Sequence, residues 1–253
     1  MSCCPPGSLP AAPTTSTKTP TIMGGTPVFF YDNAASDVCI LVVPDIYGPD
    51  SGRTKDNCAK LSATYKVALL DVVEDYFIDS DNVGEKIMGW AQARPFSAIL
   101  PKIQAAVIHL QANHGVTKFA AMGYCWGSWV IGKYATDESS VLSAGVHCHP
   151  SWVLEQFFNG PGSGEKIADG LRSPVLFVAA GNDPDWVKPG GAVATTIAAK
   201  PFGARSKFVT FDKMVHGWMC RGDISIPEVA EGFRAGWDDE IVPYLHSIFQ
   251  QDV

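Results

Sequence analysis

The stretch Lys118-Phe119-Ala120-Ala121-Met122-Gly123-Tyr124-Cys125-Trp126-Gly127-Ser128 decides how the chain is read. Its first half is a short run of consecutive apolar residues, which suits a strand covered on both faces rather than one with a wet side. Its second half is Gly-x-Cys-x-Gly, the nucleophile-elbow pattern with cysteine in the place of serine. The spacing has a steric cause. A nucleophile on a sharp strand-to-helix turn leaves no room for side chains two residues away on either side, and glycine removes them. The helix predicted to begin near Ser128 then points its amino terminus at the thiol, which lowers a thiol's pKa and favours anionic intermediates.

Such a nucleophile needs a base, and the base needs an orienting acid. Downstream, the apolar run 174–180 leads into Gly181-Asn182-Asp183-Pro184-Asp185, and the run 207–211 leads to Met214-Val215-His216-Gly217-Trp218. The order Cys125, Asp183, His216 puts each candidate on a loop past the end of a strand, where sites of open α/β sheets form. Asp185 competes for the acid role; Asp183 is preferred because it lies nearer the strand. Upstream, the run 38–44 opens into Pro44-Asp45-Ile46-Tyr47-Gly48. The backbone amides of Ile46 and Trp126 are therefore the candidate oxyanion hole. His147 and His149 form an H-x-H pair, but no third ligand is placed beside them, so no metal is expected.

The same reading covers the rest of the chain. Strands are predicted at 28–31, 38–44, 67–73, 118–122, 141–148, 174–180 and 207–211. Helices are predicted at 55–65, 97–112 and 128–134, with a long one at 227–250 bent at Pro243. Strands alternating with helices give an α/β fold, a doubly wound and mostly parallel sheet between helical layers. Residues 74–95 show little periodicity and read as a lid or a covering segment. Residues 1–21, rich in Pro, Ser, Thr and Ala, read as a flexible tail or a strap over the surface, and 22–253 as one domain.

Composition narrows the partners. The 253 residues carry a net charge of −7, and the 19 basic residues form no block, which argues against nucleic acid. The apolar runs are strand-sized and no leader pattern precedes them, so a soluble, cytoplasmic protein is expected. Seven cysteines without a paired spacing argue against a disulfide framework. For the adjacent Cys3-Cys4, loosely packed thiols are favoured over acylation or metal binding.

The motifs at 44–48, 123–127, 181–183 and 216–217 together resemble the dienelactone hydrolase family, over roughly Val38 to the C-terminal helix. The resemblance implies a single-domain α/β-hydrolase fold and no metal or organic cofactor. It also implies a Cys125-His216-Asp183 triad acting on lactones or activated esters. It gives Asp45 a role in modulating the thiol, at a position where the family typically has the longer Glu. It makes Arg221 and Arg94 candidates for binding a substrate carboxylate. Tyr47, Trp126, Trp218 and Trp90 are expected to supply an aromatic pocket. A small-molecule substrate is the expected partner, with the chain a monomer or a homodimer and no membrane involved. The competing readings are a broad carboxylesterase or thioesterase on the same residues, and a non-catalytic binding protein of this fold.

Overall fold

The computed structural model describes residues 4–77 and 83–249. Eight strands make one sheet: β1 (Thr21–Met23), β2 (Thr26–Tyr31), β3 (Val38–Val43), β4 (Lys66–Leu70), β5 (Lys118–Tyr124), β6 (Leu142–Cys148), β7 (Val175–Ala180) and β8 (Lys207–Phe211). Their spatial order is β1-β2-β4-β3-β5-β6-β7-β8. The six strands from β4 to β8 run parallel, and β1 and β2 pair antiparallel at one edge. Every residue of β3, β4 and β7 is buried, as the uninterrupted apolar runs require of strands covered on both sides.

Two cores lie on the two faces. On one face pack α2 (Val83–Gln92), α3 (Phe96–His114), α4 (Trp126–Thr136), the one-turn α5 (Gln156–Asn159), α6 (Ser163–Gly170) and α7 (Ala192–Ala198), contributing Ile87, Ile103, Val130, Ile167 and Ile197 among others. The opposite face takes Cys58 and Leu61 of α1 (Thr54–Leu61), Trp218 and Met219 of the one-turn α8 (Trp218–Arg221), Phe233 of α9 (Pro227–Arg234) and Leu245 of α10 (Val242–Phe249). Each fully buried Val, Leu or Ile adds about 1.5–3 kcal/mol of burial free energy. The α/β architecture and mostly parallel sheet are as the sequence implies.

Several elements differ from the sequence reading. Thr21–Met23 and Thr26–Tyr31 form a hairpin around Gly24-Gly25, which a three-residue edge strand signals only weakly. Within 74–95 the chain forms α2, whose Ile87 and Ala91 are buried one turn apart. Residues 78–82 of that expected lid lie outside the described residues. The C-terminal helix is not simply bent at Pro243. The turns before it, Ala235–Ile241, are wound as π-helix, where a residue without an N–H is accommodated by rewinding the preceding ladder.

Candidate active site

Strand register brings the predicted residues to one edge. Gly123 of β5 is level with Val43 of β3 and His147 of β6, so the loops carrying Asp45–Ile46 and His149–Ser151 flank the turn at Cys125. Ala180 of β7 is level with Phe211 of β8, which sets the Asp183 and His216 loops side by side.

Cys125 sits at φ 52° and ψ −115°, immediately before α4. For a residue with a Cβ this is a sparsely populated, strained conformation. Two glycines make it sterically accessible. A Cβ on Gly123 would fall on the Gly127 carbonyl and the Ser128 nitrogen, and one on Gly127 would fall on the carbonyl oxygens of Val43 and Pro44. The β3 loop therefore packs directly against the first turn of α4. Trp126 opens that helix, so its amide is among those with no partner inside the helix.

The imidazole of His216 meets Asp183 through Nδ1–Oδ1 at 2.6 Å, both side chains being fully buried. Asp183 is itself fixed at the strand end, its Oδ2 accepting from the Ala180 amide at 2.7 Å. The loop is held too, since the His216 amide donates to Asn182 Oδ1 at 2.7 Å. A ring nitrogen of His216 lies within 4.8 Å of the Cys125 sulfur. Burial works against charging His216, but the adjacent Cys125 thiolate and Asp183 carboxylate hold its pKa well above the ordinary range. That balance favours the charged imidazole. Of the two competing acids, Asp183 contacts the imidazole, while Asp185 is exposed and paired with Lys188 at 3.0 Å.

Ser151, absent from the sequence reading, bridges the pair. Its Oγ is 3.3 Å from Cys125 Sγ and 3.5 Å from His216 Nε2. The signal for it was positional: it too follows a strand end, two residues past His149. Cys4 was read as a tail thiol, yet its sulfur lies 3.8 Å from that of Cys125. Cys4, Cys125 and His216 place three donor atoms within 4.8 Å of one another. These are donors a soft cation would choose, and they coincide with the candidate nucleophile and base.

Asp45 is fully buried. Its carboxylate accepts from the Tyr47 amide at 2.9 Å and the Ser51 hydroxyl at 3.0 Å, and it is bonded by Arg221 and by the Cys220 thiol at 3.3 Å. Arg221 lies over the Tyr47 ring and donates to the Leu9 carbonyl at 3.1 and 3.2 Å. Arg94 donates to the carbonyls of Glu74, Asp75 and Trp90, tying the 74–75 loop to α2. Trp126 packs edge-on against Trp90 at 5.5 Å and Tyr76 at 6.4 Å, with Phe77 joining Trp90 to Tyr47. Trp218 is not brought to this aromatic group; its ring packs on Phe211 on the opposite face.

The H-x-H residues diverge. His149, at φ 37°, faces His216 with ring centroids 4.9 Å apart. His147 stacks on Phe177 at 4.6 Å and bonds Ser128 at 2.9 Å. Burial pushes the pKa of His147 down to about 3 from 6.5. Burial, followed by the positive charge on His216, also lowers that of His149. The unfolded chain thus takes up protons below about pH 6.5 that the folded chain refuses. For His147 the resulting loss begins as pH falls through 6.5 and is complete near 3, reaching about 2–3 kcal/mol at pH 4.5. Urea midpoints measured from pH 7 to 4.5 are expected to fall, and His147→Gln to flatten the slope. An unchanged slope would remove this residue from the account.

The fold, with its elbow after the middle strand and its acid and histidine on the last two loops, defines an α/β hydrolase. The dienelactone hydrolase family model matches residues 27–244, and the chain belongs to that family. Among its relatives are two uncharacterized AIM2 family proteins of Schizosaccharomyces pombe. One is 34% identical over 140 residues, covering 54% of this chain and only half the length of that relative. The other is 27% identical over 258 residues, covering 90% of this chain and 96% of its own. Among solved structures, a dienelactone hydrolase-like promiscuous phosphotriesterase from metagenomic libraries superposes with a TM-score of 0.60 at 19% identity, over 93% of this chain and 99% of that one. That likeness speaks for the fold. Among the described residues, no helix is long and apolar enough to cross a membrane.

Proposed function

We propose that the protein hydrolyses lactones or activated carboxylic esters through a covalent acyl-enzyme on Cys125. The observation that carries this reading is the alignment of one buried thiol, one imidazole and one carboxylate, the last two 2.6 Å apart, on three loops of a single sheet edge. The thiolate attacks the carbonyl carbon and the C=O electrons move onto oxygen, where the Ile46 and Trp126 amides stabilise the charge. The imidazolium of His216, oriented by Asp183, gives its proton to the leaving oxygen as the C–O bond breaks. The neutral imidazole then takes a proton from water, whose oxygen displaces the thiolate and releases the acid. No metal or organic cofactor enters this scheme.

Asp45 modulates the site through its charge, with Arg221 and Cys220 as its near neighbours. The aromatic group around Trp126 suits flat, conjugated acyl groups. A thioester is open to the same attack, so substrate class is settled by rates and not by the triad. The deciding experiment compares kcat/KM on a dienelactone, p-nitrophenyl esters and an acyl thioester under reducing conditions, with iodoacetamide as the covalent probe of Cys125. Lactone or activated-ester turnover that is lost in step with Cys125 alkylation is expected. Turnover of none of the three, with Cys125 alkylated all the same, would leave a binding protein of this fold.

A further inference from the structure

The segment before β1 does not pass the site at a distance. The Pro6 carbonyl accepts from Asn182 Nδ2 at 3.0 Å, the Leu9 amide donates to the His216 carbonyl at 3.0 Å, and the Leu9 carbonyl accepts from Arg221. Further along, the Ala12 carbonyl accepts from the Gly52 amide at 2.7 Å, and Pro13 bridges to Ser51. Residues 6–13 are thereby fastened to the loops that carry Asp183, His216 and Arg221, and to the segment after Asp45. The fastening delivers Cys4 to the candidate nucleophile: the two sulfurs are 3.8 Å apart, Cys4 is buried, and Cys125 has no exposed surface. A disulfide needs its sulfurs at about 2.05 Å. Closing the remaining gap asks for a shift of under about 2 Å, within a strap that has a left-handed glycine, Gly7, three residues away.

From this geometry we infer that Cys4 is a resolving cysteine, which captures Cys125 as a reversible disulfide when a peroxide oxidises it. The inference rests on the reading of Cys125 as an activated thiolate. In the first step the Cys125 thiolate attacks one peroxide oxygen and the O–O bond breaks. Sulfur is oxidised to the sulfenic acid, and the departing hydroxide takes a proton to leave as water. In the second step the Cys4 sulfur attacks Cys125 Sγ, the S–O bond breaks, and hydroxide leaves as water with the proton that Cys4 gives up. The sum is two thiols and one hydrogen peroxide giving one disulfide and two waters. A dithiol reductant reopens the bond by exchange. Without a resolving thiol, a second peroxide adds another oxygen to the sulfenic acid and leaves as water, giving sulfinic acid, which such reductants do not reverse. The strap would thus protect the nucleophile and hold the enzyme off while oxidant persists.

The test uses the full chain, reduced, desalted and treated with a several-fold molar excess of hydrogen peroxide, beside its Cys3→Ser and Cys4→Ser variants. Tryptic mapping without reduction is expected to join the peptide ending at Lys18 to the peptide 119–133, with fragment ions placing the link at Cys4. The link should form in the wild type and in Cys3→Ser and be missing from Cys4→Ser. Ester hydrolysis, referred to each protein's own reduced rate, should fall to background in all three. Dithiothreitol should restore it in the first two only, Cys125 of Cys4→Ser having gained two oxygens. Sulfinic acid on wild-type Cys125 without the link, a link to another cysteine, or full recovery of Cys4→Ser would each overturn the inference. The mass readout needs no turnover. A reduced protein that hydrolyses no ester would therefore refute the hydrolase reading while the map still decides the disulfide.

Discussion

Cys125→Ala should lose hydrolysis of p-nitrophenyl esters by about four to six orders of magnitude in kcat, the scale on which removing a covalent nucleophile is felt. Alanine keeps a Cβ, so the residue stays in the same left-handed conformation before α4 and the fold should survive; circular dichroism and the urea midpoint check this. The imidazole left behind has no thiol to deprotonate and no covalent intermediate to resolve. Cys125→Ser is the companion. A serine hydroxyl is far less acidic than a thiol, so the proposed imidazolium–thiolate pair could not form, and His216 would have to act as a general base for an oxygen nucleophile. Turnover between that of the wild type and that of the alanine variant is expected. Wild-type rates in Cys125→Ala would end the mechanism outright.

Gly127→Ala is expected to be severely damaging to both stability and turnover. The new Cβ would lie on the Val43 and Pro44 carbonyl oxygens, which are backbone at a fully buried strand end and cannot swing aside as a side chain can. Overpacking in a dense core costs about 1–3 kcal/mol where side chains can adjust, and a backbone collision is expected to reach the upper end or exceed it. Any relief must push α4 away from the β3 loop. That movement separates the Ile46 and Trp126 amides, so even a folded product should show a fall in kcat beyond its fall in stability. A urea midpoint and kcat both equal to wild type would show that the elbow is looser than its geometry implies.

Much of this arrangement was legible because the steric demands of the elbow are local. Gly123, Cys125 and Gly127 are neighbours in sequence, and the strand and helix around them are coded by short-range pattern. Asp183 and His216 were legible because both loops follow apolar runs, and the sheet then aligns their ends. Residues whose role depends on distant chain crossing were not legible in this way. Ser151 follows a strand end as Asp183 and His216 do, but it reaches Cys125 and His216 only because β6 and β5 end level. Cys4 is 121 positions from its sulfur partner, with no periodicity between to place it. Trp218 was expected in the aromatic pocket with Tyr47 and Trp126, yet the left-handed Gly217 before it turns the chain into α8 and carries the ring to the other face. Arg221, the last residue of that one-turn helix, comes back to Asp45.

The strap over the site is held almost wholly by main-chain groups: the carbonyls of Pro6, Leu9, Ala12 and Lys18, and the amide of Leu9. Side chains add Cys4 and Leu9 at one end, and Ser16 and Lys18 against Tyr31 at the other. Between Pro6 and Ala12 its sequence is therefore free to drift while the main-chain fastening persists. Over that stretch the fastening is written in amides and carbonyls, where hydrogen exchange can read it and a side-chain scan is nearly blind.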